Sequence, residues 1–145
     1  MSKYQEQIIE KLIATVATGW PEDLDNTMAD IAEDAEYIMI VPTTPAIKGK
    51  AAIRSEIQAM MAMYESNRST ILRIGSSDNS VFTERVDGAK TASGWIDIPV
   101  MAVFDFNDKD QIISWREYMD LANIVRQQGE GAIIGLPEGV RTLFK

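Results

Sequence analysis

Residues 80–121, SVFTERVDGAKTASGWIDIPVMAVFDFNDKDQIISWREYMDL, decide the fold. Three runs within them, SVFTERVD, GWIDIPVMAVFDF and QIISWREYMDL, are rich in β-branched and aromatic residues and read as strands. GAKTASG and NDKD separate the runs at hairpin-like spacing and hold residues suited to tight reversals. Just upstream, STILRIG adds a strand and SSDN turns it into the first run. An antiparallel meander is therefore predicted from about residue 68 onward.

Ahead of it the apolar period changes. Ile8, Ile9, Leu12, Ile13 and Val16 recur at helical spacing, and Gly19 with Pro21 punctuates the end. A shorter helix is predicted through Leu24, Met28 and Ile31. AEYIMIV (35–41) reads as a strand closed by the turn-like PTTP. Gly49 then precedes a third helix whose apolar stripe is Ile53, Ile57, Met60, Met61 and Tyr64. Helices followed by a meander indicate an α+β domain, with the helices packed on one curved, mostly antiparallel sheet. At 145 residues, without repeat, linker or low-complexity tract, residues 1–145 read as a single domain. The tail from Ala122 to Lys145 holds apolar pieces that could cap a pocket or dock on a partner.

Composition removes several classes of chemistry. The chain has no cysteine and no histidine, so thiol nucleophiles, thiolate metal sites, imidazole triads and the usual zinc sites are absent. Acid–base work must fall to carboxylates, tyrosine, lysine or water. A net charge of −8 without a basic cluster argues against nucleic acid and anionic membranes as partners. There is no signal-peptide pattern or apolar run of membrane-spanning length, and the lack of cysteine fits a reducing cytoplasm. The glycines show no phosphate-loop spacing, and the acidic residues show no EF-hand register.

Against this background the ionisable residues inside strand-like runs stand out. Arg85 and Asp87 lie two apart, so on a strand they share a face. The guanidinium would hold the carboxylate ionised and oriented, and a carboxylate on a neighbouring strand could complete a carboxylate–Arg–carboxylate row. Such a row places a base and an acid on one substrate without histidine. The alternative is an Arg–Asp pair on the solvent face, since Glu84, Arg116 and Asp120 occupy alternate positions of the same strands. Periodicity leaves both faces open. Tyr37 reads as a sheet or core residue whose hydroxyl could hold a water, and Asp97 reads as outward-facing.

IGSSDNSVFTERVD and AVFDFNDKDQIISWREYMDL, with AEDAEY before the first strand and Gly49 before the third helix, resemble the limonene-1,2-epoxide hydrolases. The resemblance covers roughly residues 8–121. It implies the NTF2-like (SnoaL-like) cone, a deep apolar pocket, no metal or organic cofactor, and a homodimer formed through the sheet. It also implies a mechanism in which one carboxylate deprotonates the attacking water and a second protonates the epoxide oxygen. An arginine bridges the two, and a tyrosine and an asparagine hold the water. Residue by residue, Arg85 matches the bridge, Asp87 the acid and Tyr37 the water-holding tyrosine, while the base position falls on Glu117. Met60, Tyr64, Ala89, Ile98, Val100 and Met119 fall at pocket-lining positions and suit a terpenoid-like substrate.

Two positions depart from the family pattern. Glu117 stands where the family has aspartate, and its extra methylene moves the base; a shift of order 1 Å can cost ~10²-fold in rate. Met39 stands where the family has asparagine, and a thioether cannot both donate and accept hydrogen bonds as an amide does. The expectation is an epoxide hydrolase giving a vicinal diol. The alternatives are an epoxide-opening cyclase or isomerase that uses an internal nucleophile, and a non-catalytic module that binds apolar small molecules.

Overall fold

Helix α1 (Ser2–Thr18) turns Ile8, Ile9, Leu12 and Ile13 to one side, where all four are buried. The structure is a computed structural model describing residues 2–18 and 22–128. Gly19 and Pro21, expected to end the first helix, lie outside the described residues. Helix α2 (Leu24–Met28), strand β1 (Ile31–Ile38), the short β2 (Ile47–Lys48) and helix α3 (Lys50–Ala62) follow. Strands β3 (Ser66–Ser77), β4 (Ser80–Thr91), β5 (Gly94–Phe106) and β6 (Ile112–Tyr118) come next, and helix α4 (Leu121–Gln128) closes the described chain.

The strands form one six-stranded sheet in the order β2-β1-β6-β5-β4-β3. All neighbours are antiparallel except β1 and β6, which run parallel with Tyr37 beside Trp115. The fold is the expected α+β arrangement, with the meander continuous from β3 to β6. Its turns use the predicted residues. Asp78 (φ 52°) and Asp110 (φ 56°) take the left-handed conformation that short polar side chains tolerate.

Two local readings change. Ile31, expected in the second helix, opens β1 and pairs with Ile112 of β6. The backbone carbonyl of the preceding Asp30 accepts the Ile112 N–H at 2.8 Å, so sheet pairing overrides the helical spacing of Leu24, Met28 and Ile31. The strand read at 35–41 begins earlier and stops at Ile38, leaving Met39 beyond its end. There Val41 N–H still donates to the Glu117 carbonyl at 2.9 Å, which keeps the segment alongside β6.

The main core lies between the helices and the inner sheet face. It includes Ile9, Ile53, Ile57, Val81, Phe104, Ile112 and Trp115. A smaller cluster of Ile40, Ala89, Ile96, Leu121 and Ile124 joins α4 to the sheet. Among the described residues, no helix is long and apolar enough to cross a membrane.

Candidate active site

Strand alternation turns Arg85 and Asp87 of β4 to the same, inner face. Across the sheet, Arg85 lies opposite Val100 and Asp87 opposite Ile98. Glu117 of β6 lies opposite Ala102, one strand further on. The guanidinium spans this gap. Arg85 Nε donates to Asp87 Oδ1 at 2.9 Å and Nη2 to Oδ2 at 3.1 Å, the forked geometry that suits a carboxylate. Arg85 Nη2 also donates to Glu117 Oε2, and Nη1 donates to the Thr83 hydroxyl at 3.2 Å. The solvent-face alternative is thus excluded: Arg85 is 3% exposed and Glu117 is 5% exposed.

Tyr37 enters from β1 through the parallel pairing with β6. Its hydroxyl donates to Glu117 Oε1 at 3.0 Å, and its ring packs on Trp115 with centroids 4.4 Å apart. Ser69 of β3 donates to Asp87 Oδ1. Asp87 is the outermost member of the row, with a side chain 30% exposed. The charges that periodicity could not orient point outward and pair there, Glu84 with Arg73 and Arg116 with Asp105. Asp97 is also outside, paired with Arg68 at 3.0 Å.

Electrostatics inside the row are set chiefly by burial. Burial pushes the Glu117 carboxyl above the ordinary glutamate range; the Asp87 charge adds to this, while Arg85 and Tyr37 oppose it. The Tyr37 hydroxyl is raised well above its usual value, by burial first and then by the Glu117 charge. Burial alone would weaken the charge on Arg85, but Glu117 and Asp87 together raise its pKa and fix it as a cation.

A cavity of about 210 Å³ opens beside this row. Met39, Met60, Tyr64, Ala89, Ile98, Val100 and Met119 all line it, together with Arg85, Asp87 and Glu117, whereas Tyr37 sits behind Glu117. The volume is below the ~300–1,000 Å³ of drug-sized sites, so the cavity suits a compact ligand. Leu121 and Ile124 of α4 also line it, and Gln128 Nε2 donates to the Tyr64 hydroxyl at 3.2 Å. Of the tail, Ile124 lines the cavity and Gln128 bonds a residue that does, and residues 129–145 are outside the described region. Among the described residues, no group of three or more carboxylate side chains is placed to hold a metal ion.

Sequence reasoning did not single out four residues that the fold brings here. Ser69 and Thr83 bond the row, Trp115 backs Tyr37, and Glu56 of α3 lines the cavity. Thr83 could have been found, because it precedes Arg85 by two and so shares its face.

Comparison with known proteins identifies the family and the fold. The family model described as limonene-1,2-epoxide hydrolase catalytic domain matches residues 6–129. No curated protein sequence matches the chain. Among solved structures, a limonene-epoxide-hydrolase-like epoxide hydrolase from M. tuberculosis is 23% identical with a TM-score of 0.73, covering 92% of this chain and 96% of its own. A protein assigned as a SnoaL-like polyketide cyclase from Jannaschia sp. CCS1 is 11% identical with a TM-score of 0.76, covering 86% and 90%. SalBIII, an epoxide hydrolase/cyclase-like enzyme of pyran ring formation in polyether salinomycin, is 16% identical with a TM-score of 0.73, covering 83% and 94%. These structures share the cone-shaped α+β fold of this chain, and the family match spans nearly all of its described residues. By its sequence from residue 6 to residue 129, the chain belongs to the limonene-1,2-epoxide hydrolase family.

Proposed function

We propose that this chain opens the epoxide of a compact, largely apolar substrate with water, giving a vicinal diol by carboxylate acid–base catalysis without a cofactor. One observation carries the reading: a carboxylate–guanidinium–carboxylate row forms the polar wall of an otherwise apolar cavity. In the proposed step, Glu117 takes a proton from a water whose oxygen bonds to an epoxide carbon. The carbon–oxygen bond of the ring breaks, and Asp87 gives its proton to the departing oxygen. Over the step one proton leaves Asp87 and one arrives on Glu117, so the row's proton count is unchanged. Exchange with solvent resets it. Arg85 stays charged throughout and fixes both carboxylates. The outer sheet face, where Phe82, Met101 and Tyr118 are exposed, suits association of two copies into the homodimer that the family resemblance implies.

Turnover of limonene 1,2-oxide and related epoxides in ¹⁸O-water tests the reading. The expected result is one labelled oxygen per diol. Turnover without label in any product would replace hydrolysis by intramolecular opening.

That second reading has a specific observation in its favour. Met39 faces the cavity where the family pattern has an amide, and the Tyr37 hydroxyl is directed to Glu117. A substrate hydroxyl could then serve as the nucleophile in place of water. Met39→Asn discriminates between the two. If water placement limits turnover, the new amide is expected to raise the hydrolytic rate about fivefold, the worth of roughly one hydrogen bond. An unchanged or lower rate would show that water placement is not limiting.

A further inference from the structure

Helix α3 buries Ile53, Ile57 and Met61 against the sheet, and the edge of that stripe reaches the cavity. Glu56 stands on this edge. It lines the cavity and is only half-exposed, yet among the described residues it has neither a hydrogen-bond nor an ion-pair partner. Its own helix cannot supply one. The positions three and four residues away are Ala52, Ile53, Ala59 and Met60, and Arg54 is committed to Asp25 at 2.7 Å. Nor do the other cations around the cavity. Arg85 is held by Asp87 and Glu117, and Arg68 pairs with Asp97 while stacking on Trp95.

A half-buried carboxylate at the edge of an apolar cavity gains from a donor that a ligand brings. Every other charged side chain lining this cavity has its donor or acceptor within the protein. Among the charged side chains that line the cavity, Glu56 is therefore the one whose acceptor capacity is left to water or to a ligand.

We propose that Glu56 is a second polar anchor of the cavity, accepting a hydrogen bond from a hydroxyl or ammonium group that the substrate carries away from its epoxide. The inference rests on the proposed function for the epoxide end of the ligand and adds the chemistry of its other end. The substrate class becomes an epoxide on a compact apolar skeleton with one separate hydrogen-bond donor. A hydrogen bond to a charged group discriminates by roughly 10- to 100-fold.

The test uses three ligands of one skeleton that lack the epoxide, so that binding is read apart from turnover. Limonene, perillyl alcohol and perillylamine are titrated against the whole protein, following tryptophan fluorescence, since Trp115 lines the cavity. The wild-type protein is expected to bind the alcohol or the amine roughly 10- to 100-fold more tightly than limonene. Glu56→Leu is expected to bring the three to parity. Glu56→Gln distinguishes the donors: it keeps a preference for the alcohol but loses one for the amine. Equal binding of all three by the wild-type protein, no binding of any, or a preference that survives Glu56→Leu overturns the proposal. Failure of every epoxide to react, with the Glu56-dependent preference intact, would instead count against the hydrolytic reading alone.

Discussion

Arg85→Met is expected to lower kcat/KM for epoxide opening by about 10³-fold and stability by about 3–5 kcal/mol. Both effects have one cause. The side chain is 3% exposed and donates to Asp87, Glu117 and Thr83, so its removal leaves two carboxylates without their shared cation. Each carboxylate loses the donor that ties it to the other, and Glu117 becomes harder to ionise. Because Arg85 holds the Glu117 pKa down against burial, its loss is also expected to move the low-pH limb of activity to higher pH. Arg85→Lys keeps the charge but not the fork, and should recover stability more than rate. Thermal unfolding and kcat/KM measured on the folded fraction separate the two. Near-wild-type turnover in folded Arg85→Met would remove the row from the mechanism.

The second large effect is expected from Glu117→Gln, which retains size and hydrogen bonding but cannot accept a proton. A fall of about 10²–10⁴-fold in kcat is expected, the usual worth of a general base. The pH dependence gives an independent check. As a base, Glu117 works only when ionised, and its folded pKa lies above the ordinary glutamate value. Wild-type activity should therefore disappear at a higher pH than an ordinary glutamate predicts, as the pH is lowered through that raised value. Stability has the opposite sign. The folded state binds the Glu117 proton more tightly than the unfolded chain. The carboxyl group's contribution is thus fully present below the unfolded pKa and is lost as pH rises through the raised folded pKa. Denaturant unfolding across this window should show that decline in the wild-type protein and lack it in Glu117→Gln. A variant with unimpaired turnover would mean that another group takes the proton.

Much of the fold was legible because strand and helix periods differ so clearly along the chain. The meander, its turns and the stripe of α3 follow from apolar spacing. Ile31 was not legible, because its helical spacing from Leu24 and Met28 is local while its pairing with Ile112 is not. The site was harder to orient for a definite reason. On β4 the usual polarity is inverted: Thr83, Arg85 and Asp87 point inward, while Phe82 and Val86 face out opposite Val103 and Pro99. Hydrophobic alternation alone would turn this strand the wrong way, and only the family resemblance assigned the inner face to its charges. Ser69 could not be foreseen, since its bond to Asp87 depends on the β3–β4 register. Glu56 looked like one of many solvent-side glutamates, and only the packing of α3 places it at the cavity.

The parallel seam between β1 and β6 has a kinetic meaning. Arg85, Asp87 and Ser69 belong to one hairpin, so their contacts can form early from neighbouring chain. Tyr37 and Glu117 are 80 residues apart and meet only when β6 inserts between β1 and β5. β6 is the last strand of the described chain to be synthesised. On the ribosome the acid half of the site can therefore assemble before the base half, which awaits a contact of high sequence separation.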